Sequence, residues 1–192
     1  FLGSPVTMML ASPDNQTIFA ALNLGHYGTK LHRSDDGGST WTELQTQRFP
    51  TVEGGDKGAK TAAVTAIWSM EWAGKEKSEA LWIGTAPAAL FSSTDNGKSW
   101  VLNEPLWNLP SQAKWMGGGT VDTALHSICV DPRTSGRVAV AVFFGGVTLF
   151  RGWRQELARC RSRPKGRVLA ARSAIRSRRS RCAPNGAMPR QS

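Results

Sequence analysis

Cysteine is scarce in this chain, and the three present, Cys129, Cys160 and Cys182, show no C-x-x-C spacing. That spacing suggests neither a zinc site nor a disulfide framework. No apolar run approaches the ~18 residues of a membrane span, so no membrane partner is expected. No signal peptide is visible, and the chain opens on Phe1 without an initiator Met, so its start reads as cut. A cytoplasmic location is the expectation. Tyrosine occurs once, at Tyr27, and histidine three times, at His26, His32 and His126. Acidic residues are nearly missing from the last 45 positions, where Glu156 stands against 13 Lys and Arg. The net charge of +10 is therefore local: residues 1–147 carry −2 and residues 148–192 carry +12.

A length of 192 residues suffices for one domain with a real core, and 40% hydrophobic residues with eight tryptophans suit a globular β protein. The chain is organised around a stretch that occurs twice. Leu31 to Leu44 reads LHRSDDGGSTWTEL, and Leu90 to Leu102 reads LFSSTDNGKSWVL. Both fit S-x-D-x-G-x-[ST]-W, through Ser34, Asp36, Gly38, Thr40 and Trp41, then Ser93, Asp95, Gly97, Ser99 and Trp100. Polar residues set between apolar alternations mark the turn of a hairpin. The aspartates can accept from turn N–H groups, the glycines permit positive φ, and the tryptophans cover the corner. A metal loop built on these aspartates would need more oxygen ligands and a terminal Glu.

The two stretches resemble Asp boxes, also called bacterial neuraminidase repeats, found in β-propellers of sialidases, some other glycosidases and sortilin-like receptors. The wider run, with NLGHYG, IWS, LWIGT, the second box and HSICVDPR, is similar to bacterial proteins labelled exo-α-sialidase or BNR-repeat glycosyl hydrolase. The likeness covers roughly residues 1–147. It implies an all-β fold: a partial β-propeller of two four-stranded blades and part of a third, followed by a non-propeller basic tail.

Taken in order, Val6–Ala11, Thr17–Leu22, Thr29–Arg33 and Trp41–Leu44 read as the four strands of one unit. Gln45–Ala66 reads as a long, mobile loop. Ile67–Ala73, Ala80–Thr85, Ala88–Phe91 and the run from Trp100 repeat the cycle. After the loop Trp107–Ala124, a third unit begins at His126–Val130 and Arg137–Phe144. Gly145-Gly146-Val147 then leads toward a third box that is not there. Residues 148–192 read as an Arg-rich tail, disordered or translated out of frame, since a one-base shift of the possible codons over Phe150–Ala158 permits S-E-D-G-G-K-S-W. Nucleic-acid binding is not expected despite the charge.

The resemblance implies, for a sialidase-like site, an arginine cluster and a carboxylate-activated tyrosine. The body offers Arg33, Arg48, Arg133 and Arg137, and the single Tyr27. Alternate connections of an antiparallel meander lie at opposite ends, so the loops holding His26, Tyr27, Trp115, Asp122 and His126 should open away from the boxes. Asp122, His126, His26 and Tyr27 are the catalytic candidates, and Trp115 is the binding candidate. The ordinary alternatives are a packed loop anchor for Trp115, a cap or turn former for Asp122, and loop or core positions for the histidines. No cofactor or metal is expected, and the expected partner is a glycan or protein on the loop face. Two functional classes stay open, a glycoside hydrolase with paired carboxylates or a non-catalytic scaffold, beside a third reading as a truncated product without function.

Overall fold

The computed structural model describes residues 1, 3–50, 63–74, 80–117, 122–134, 137–151 and 156–158. Three four-stranded antiparallel sheets follow one another along the chain, each a simple meander. The first holds β1 (Val6–Ala11), β2 (Ile18–Asn23), β3 (Thr29–Ser34) and β4 (Thr42–Leu44). The second holds β5 (Ala66–Trp72), β6 (Leu81–Ala86), β7 (Leu90–Ser93) and β8 (Val101–Leu102). The third holds β9 (Leu125–Val130), β10 (Val138–Val142), β11 (Gly146–Arg151) and β12 (Glu156–Ala158). The protein is all-β in architecture, with one short helix α1 (Glu104–Trp107) capped by Asn103, whose side chain accepts from the Leu106 amide. Among the described residues no helix is long and apolar enough to cross a membrane.

The sheets are stacked, and alternation decides what each face touches. Side chains along a strand point to opposite faces. Phe19, Ala21 and Leu31 of the first sheet therefore meet Ile67, Met70, Leu81, Ile83 and Phe91 of the second in one buried cluster. Trp82 and Leu90 point the other way and join Leu125, Ile128, Val138, Val140, Val142 and Phe150 in another. The middle sheet thus has an apolar neighbour on both faces, which explains why all six residues of β6 are buried. On β1, only Met8 and Leu10 are withdrawn from solvent, because the other face has no such neighbour. Each fully buried Leu, Ile or Phe in these layers contributes about 1.5–3 kcal/mol.

The first strands of the sheets lie side by side, β1 next to β5 and β5 next to β9. Trp72 Nε1 donates to the Ala11 carbonyl at 2.9 Å, and Ser69 Oγ donates to the Leu125 carbonyl at 2.9 Å. Gly84 on β6 has no side chain because a Cβ there would collide with Leu125 and Ser69. Registers also align the ends. Ala11↔Ile18 and Ile18↔Ser34 put the first box beside the β1–β2 turn, while Asn23↔Thr29 lies at the far end. In the second sheet Trp72↔Leu81 and Leu81↔Ser93 mark the box end, and Ala66↔Ala86 the loop end.

Three expectations require correction. The third unit is a complete four-stranded sheet rather than part of one. The boundary expected at 147/148 falls inside β11, which pairs with β10 up to Val138↔Phe150 and then with β12 through Phe150↔Leu157. The charge step set that boundary, but ladder bonds are backbone bonds and Phe150 supplies a core ring that is 1% exposed. Gln45–Pro50 is not a free loop either: Gln47 and Phe49 are buried, and Phe49 stacks on Trp107 at 4.7 Å. The remaining loop stretch 51–62, Gly118-Gly119, Cys160, Cys182 and the rest of the tail lie outside the described residues.

Candidate functional site

The repeated motif closes two hairpin corners with nearly the same set of bonds. In the first, Ser34 Oγ donates to Asp36 Oδ1 at 2.7 Å and accepts from the Gly38 amide at 2.8 Å. Asp36 also accepts from the Thr40 amide at 2.8 Å and from Thr40 Oγ1 at 2.7 Å. In the second, Ser93 Oγ donates to Asp95 at 2.7 Å and accepts from the Gly97 amide at 2.8 Å. The Ser99 amide and hydroxyl complete it on Asp95. Both oxygens of each carboxylate are thus spent on their own turn.

Donors that favour the ionised form lower a carboxyl pKa. The Thr40 amide and hydroxyl, then Ser34, hold Asp36 down to about 2. For Asp95 partial burial is the largest single influence and acts upward, but the bonds from Ser99 and Ser93 together outweigh it and also leave it at about 2. These residues build corners; they are not poised as proton donors at neutral pH.

The other end of the sheets carries the chemistry-bearing loops. His26 and Tyr27 sit in a 3-10 turn between β2 and β3, with Tyr27 fully in solvent at 83% exposure. Asn23 Nδ2 donates to the Thr65 carbonyl at 3.1 Å, and Thr65 Oγ1, which donates to the Ala86 carbonyl at 3.0 Å, lies 3.4 Å from Asp122 Oδ2. One polar chain therefore links the loop ends of all three sheets. His126 is the second residue of β9; its Nδ1 lies 2.8 Å from Ser127 Oγ, and its ring lies 4.6 Å from Phe143. Phe143 in turn meets Trp68 of β5 edge-to-face at 5.9 Å. Trp68, Phe143 and His126 make an aromatic group where β5 and β9 start, with Asp122 and Thr65 beside it.

Trp115 has a packing position. It lies against the core between the second and third sheets, and a Cβ on Gly145 would come within 2.9 Å of its indole. His26 and Tyr27 stand apart in the β2–β3 turn, whereas His126 is part of the aromatic group and Asp122 lies beside it. Trp68 and Phe143 were not singled out from sequence. Trp68 looked like one more apolar residue in IWSMEW, but a bulge between Ile67 and Ser69 turns it outward. Phe143 lies inside the strand expected over Arg137–Phe144, which in fact stops at Val142.

Glu71 does not pair with Asp122. Glu71, half-buried and pushed up by that burial, pairs in register with Trp82 near the box end. It lies roughly 15 Å along β5 from the loop end that holds Asp122. Three of the described arginines are also elsewhere. Arg33 bonds Asp35 at 2.6 Å, and Arg133 and Arg137 share Asp131 at 3.1 and 3.6 Å, all at the box end. His32 faces Phe1 and Glu43. Among the described residues no group of three or more His, Cys, Asp or Glu could hold a metal ion. Compared with known proteins, the chain matches no family model and no curated protein.

Proposed function

We propose that this chain is part of an Asp-box β-propeller whose loop end binds glycans without cleaving them. The observation that carries the reading is the aromatic group Trp68–Phe143–His126 at the start of the adjacent first strands, with Asp122 and Thr65 as polar neighbours. Sugar rings present apolar C–H faces and hydroxyl edges, and sites for them combine aromatic area with a few fixed polar groups. Consecutive four-stranded meanders with neighbouring first strands are the arrangement that a propeller repeats around its axis. Both boxes sit at the opposite end, consistent with a role in closing hairpins.

Binding is proposed on the strength of the aromatic group; a hydrolase would also need two carboxyl groups within about 10 Å of each other around the ring. Asp122 supplies one such group. The test is a glycan array probed with the chain, followed by titration of any hit against Trp68→Ala. Binding that weakens by about tenfold in the variant supports the site. An array with no hit, together with retention of a protein ligand, supports the scaffold alternative instead. Hydrolysis of any bound glycan that disappears in Asp122→Asn would restore the exo-α-sialidase-like or other glycoside hydrolase reading.

A further inference from the structure

We infer that Phe144, at the tip of the β10–β11 hairpin, is a recognition residue for a neutral sugar ring, an assignment that rests on the glycan-binding reading above. The hairpin is tight: Val142 pairs with Gly146, and the Gly145 amide donates to the Val142 carbonyl at 3.1 Å. Phe144 holds φ at 51° with 70% of its surface exposed. A bulky residue in the left-handed region is an outlier, and Asn or Gly would occupy this place with less strain. An aromatic ring in solvent also gains nothing from burial. Two unfavourable choices at one position, with no compensating packing, point to a use outside the fold.

The hairpin tip is braced. Trp115 and Val142 fill the space beside Gly145, so the ring is carried on a supported turn rather than a loose loop. Trp68 and Val147 are also exposed toward this end of their sheets. Charge decides between neutral and acidic sugars. A carboxylate-bearing sugar calls for a bidentate guanidinium. Among the described residues, Arg33, Arg133 and Arg137 are held by aspartates at the box end. The first strands' mouth presents Asp122, which accepts from hydroxyls and repels an anion.

The experiment uses the whole chain as wild type and as two variants. Wild type, Phe144→Asn and Phe144→Trp are melted without ligand and then titrated, by tryptophan fluorescence, with cellohexaose, maltohexaose, chitohexaose and 3′-sialyllactose. Relief of backbone strain should raise the Tm of Phe144→Asn by about 2–4 °C. The same variant should bind the neutral oligosaccharide at least about tenfold more weakly, while Phe144→Trp stays within about threefold. A lowered Tm in Phe144→Asn would show that the ring packs, and would overturn the inference whatever binds. Unchanged binding in Phe144→Asn, or a preference for 3′-sialyllactose, overturns it while leaving glycan binding intact. No binding of any of the four by wild type overturns the glycan reading and this assignment together.

Discussion

The two box corners share a motif and a hydrogen-bond set, yet they occupy different surroundings. The first stands in solvent: Gly38 is half-buried, and a Cβ there would find its nearest neighbour at 3.7 Å. The second is wedged against the sheet before it. Gly97 is buried, and a Cβ would meet Phe19 at 3.0 Å and Leu44 at 3.1 Å. Arg33 Nη1 also donates to the Asn96 carbonyl at 3.3 Å. The first corner therefore closes a hairpin, and the second closes a hairpin while joining two sheets. A local motif specifies bonds; its tertiary neighbours determine how much the rest of the fold depends on it.

Glycine replacement should separate the corners most. Gly97→Ala combines φ of +80° with a steric conflict and should destabilise by about 2–4 kcal/mol. Gly38→Ala, with φ of +95° and only ordinary van der Waals contacts, should lose about 1–2 kcal/mol. Equal losses in urea titration would mean that the second corner is no joint. Removing the serines tests what the corners share. Ser34 and Ser93 are both buried, and each alanine variant should lose about 1–3 kcal/mol by orphaning a glycine amide. A large gap between those two values would break the equivalence of the bond sets.

The tryptophans differ more subtly. Trp41 Nε1 donates to the Gly38 carbonyl at 3.0 Å, whereas the buried Trp100 Nε1 has no partner. Trp41→Phe should lose the hydrogen bond, about 0.5–1.5 kcal/mol, beyond whatever Trp100→Phe loses. The reverse order in thermal melts would rule out that explanation.

The smallest effect is on pH dependence. Both aspartates titrate near 2 in the folded protein, below the ordinary 3.8. Their stabilisation is therefore complete above about pH 4 and is lost as pH falls toward 2, because the unfolded chain takes up protons first. Exposure and screening keep each contribution modest. Asp36→Asn and Asp95→Asn should each flatten the decline of Tm over that window, by similar amounts. A slope unchanged in both variants would show that other carboxylates govern acid unfolding.

The corners and the strand order were legible in the sequence, since a hairpin motif is local: Ser34, Asp36 and Thr40 bond within their own seven residues, as do Ser93, Asp95 and Ser99. Ten of the strands begin close to where apolar alternation places them, whereas β11 and its partner β12 are hidden by the run of arginines. What the tertiary structure alone decided is which face each side chain met. A bulge of one residue turned Trp68 outward, an early strand end at Val142 put Phe143 beside His126, and the close packing at Gly145 made Trp115 a support. None of these depends on the residue type at its own position. Each follows from register and from the approach of segments distant in the chain, so composition and spacing could not disclose it.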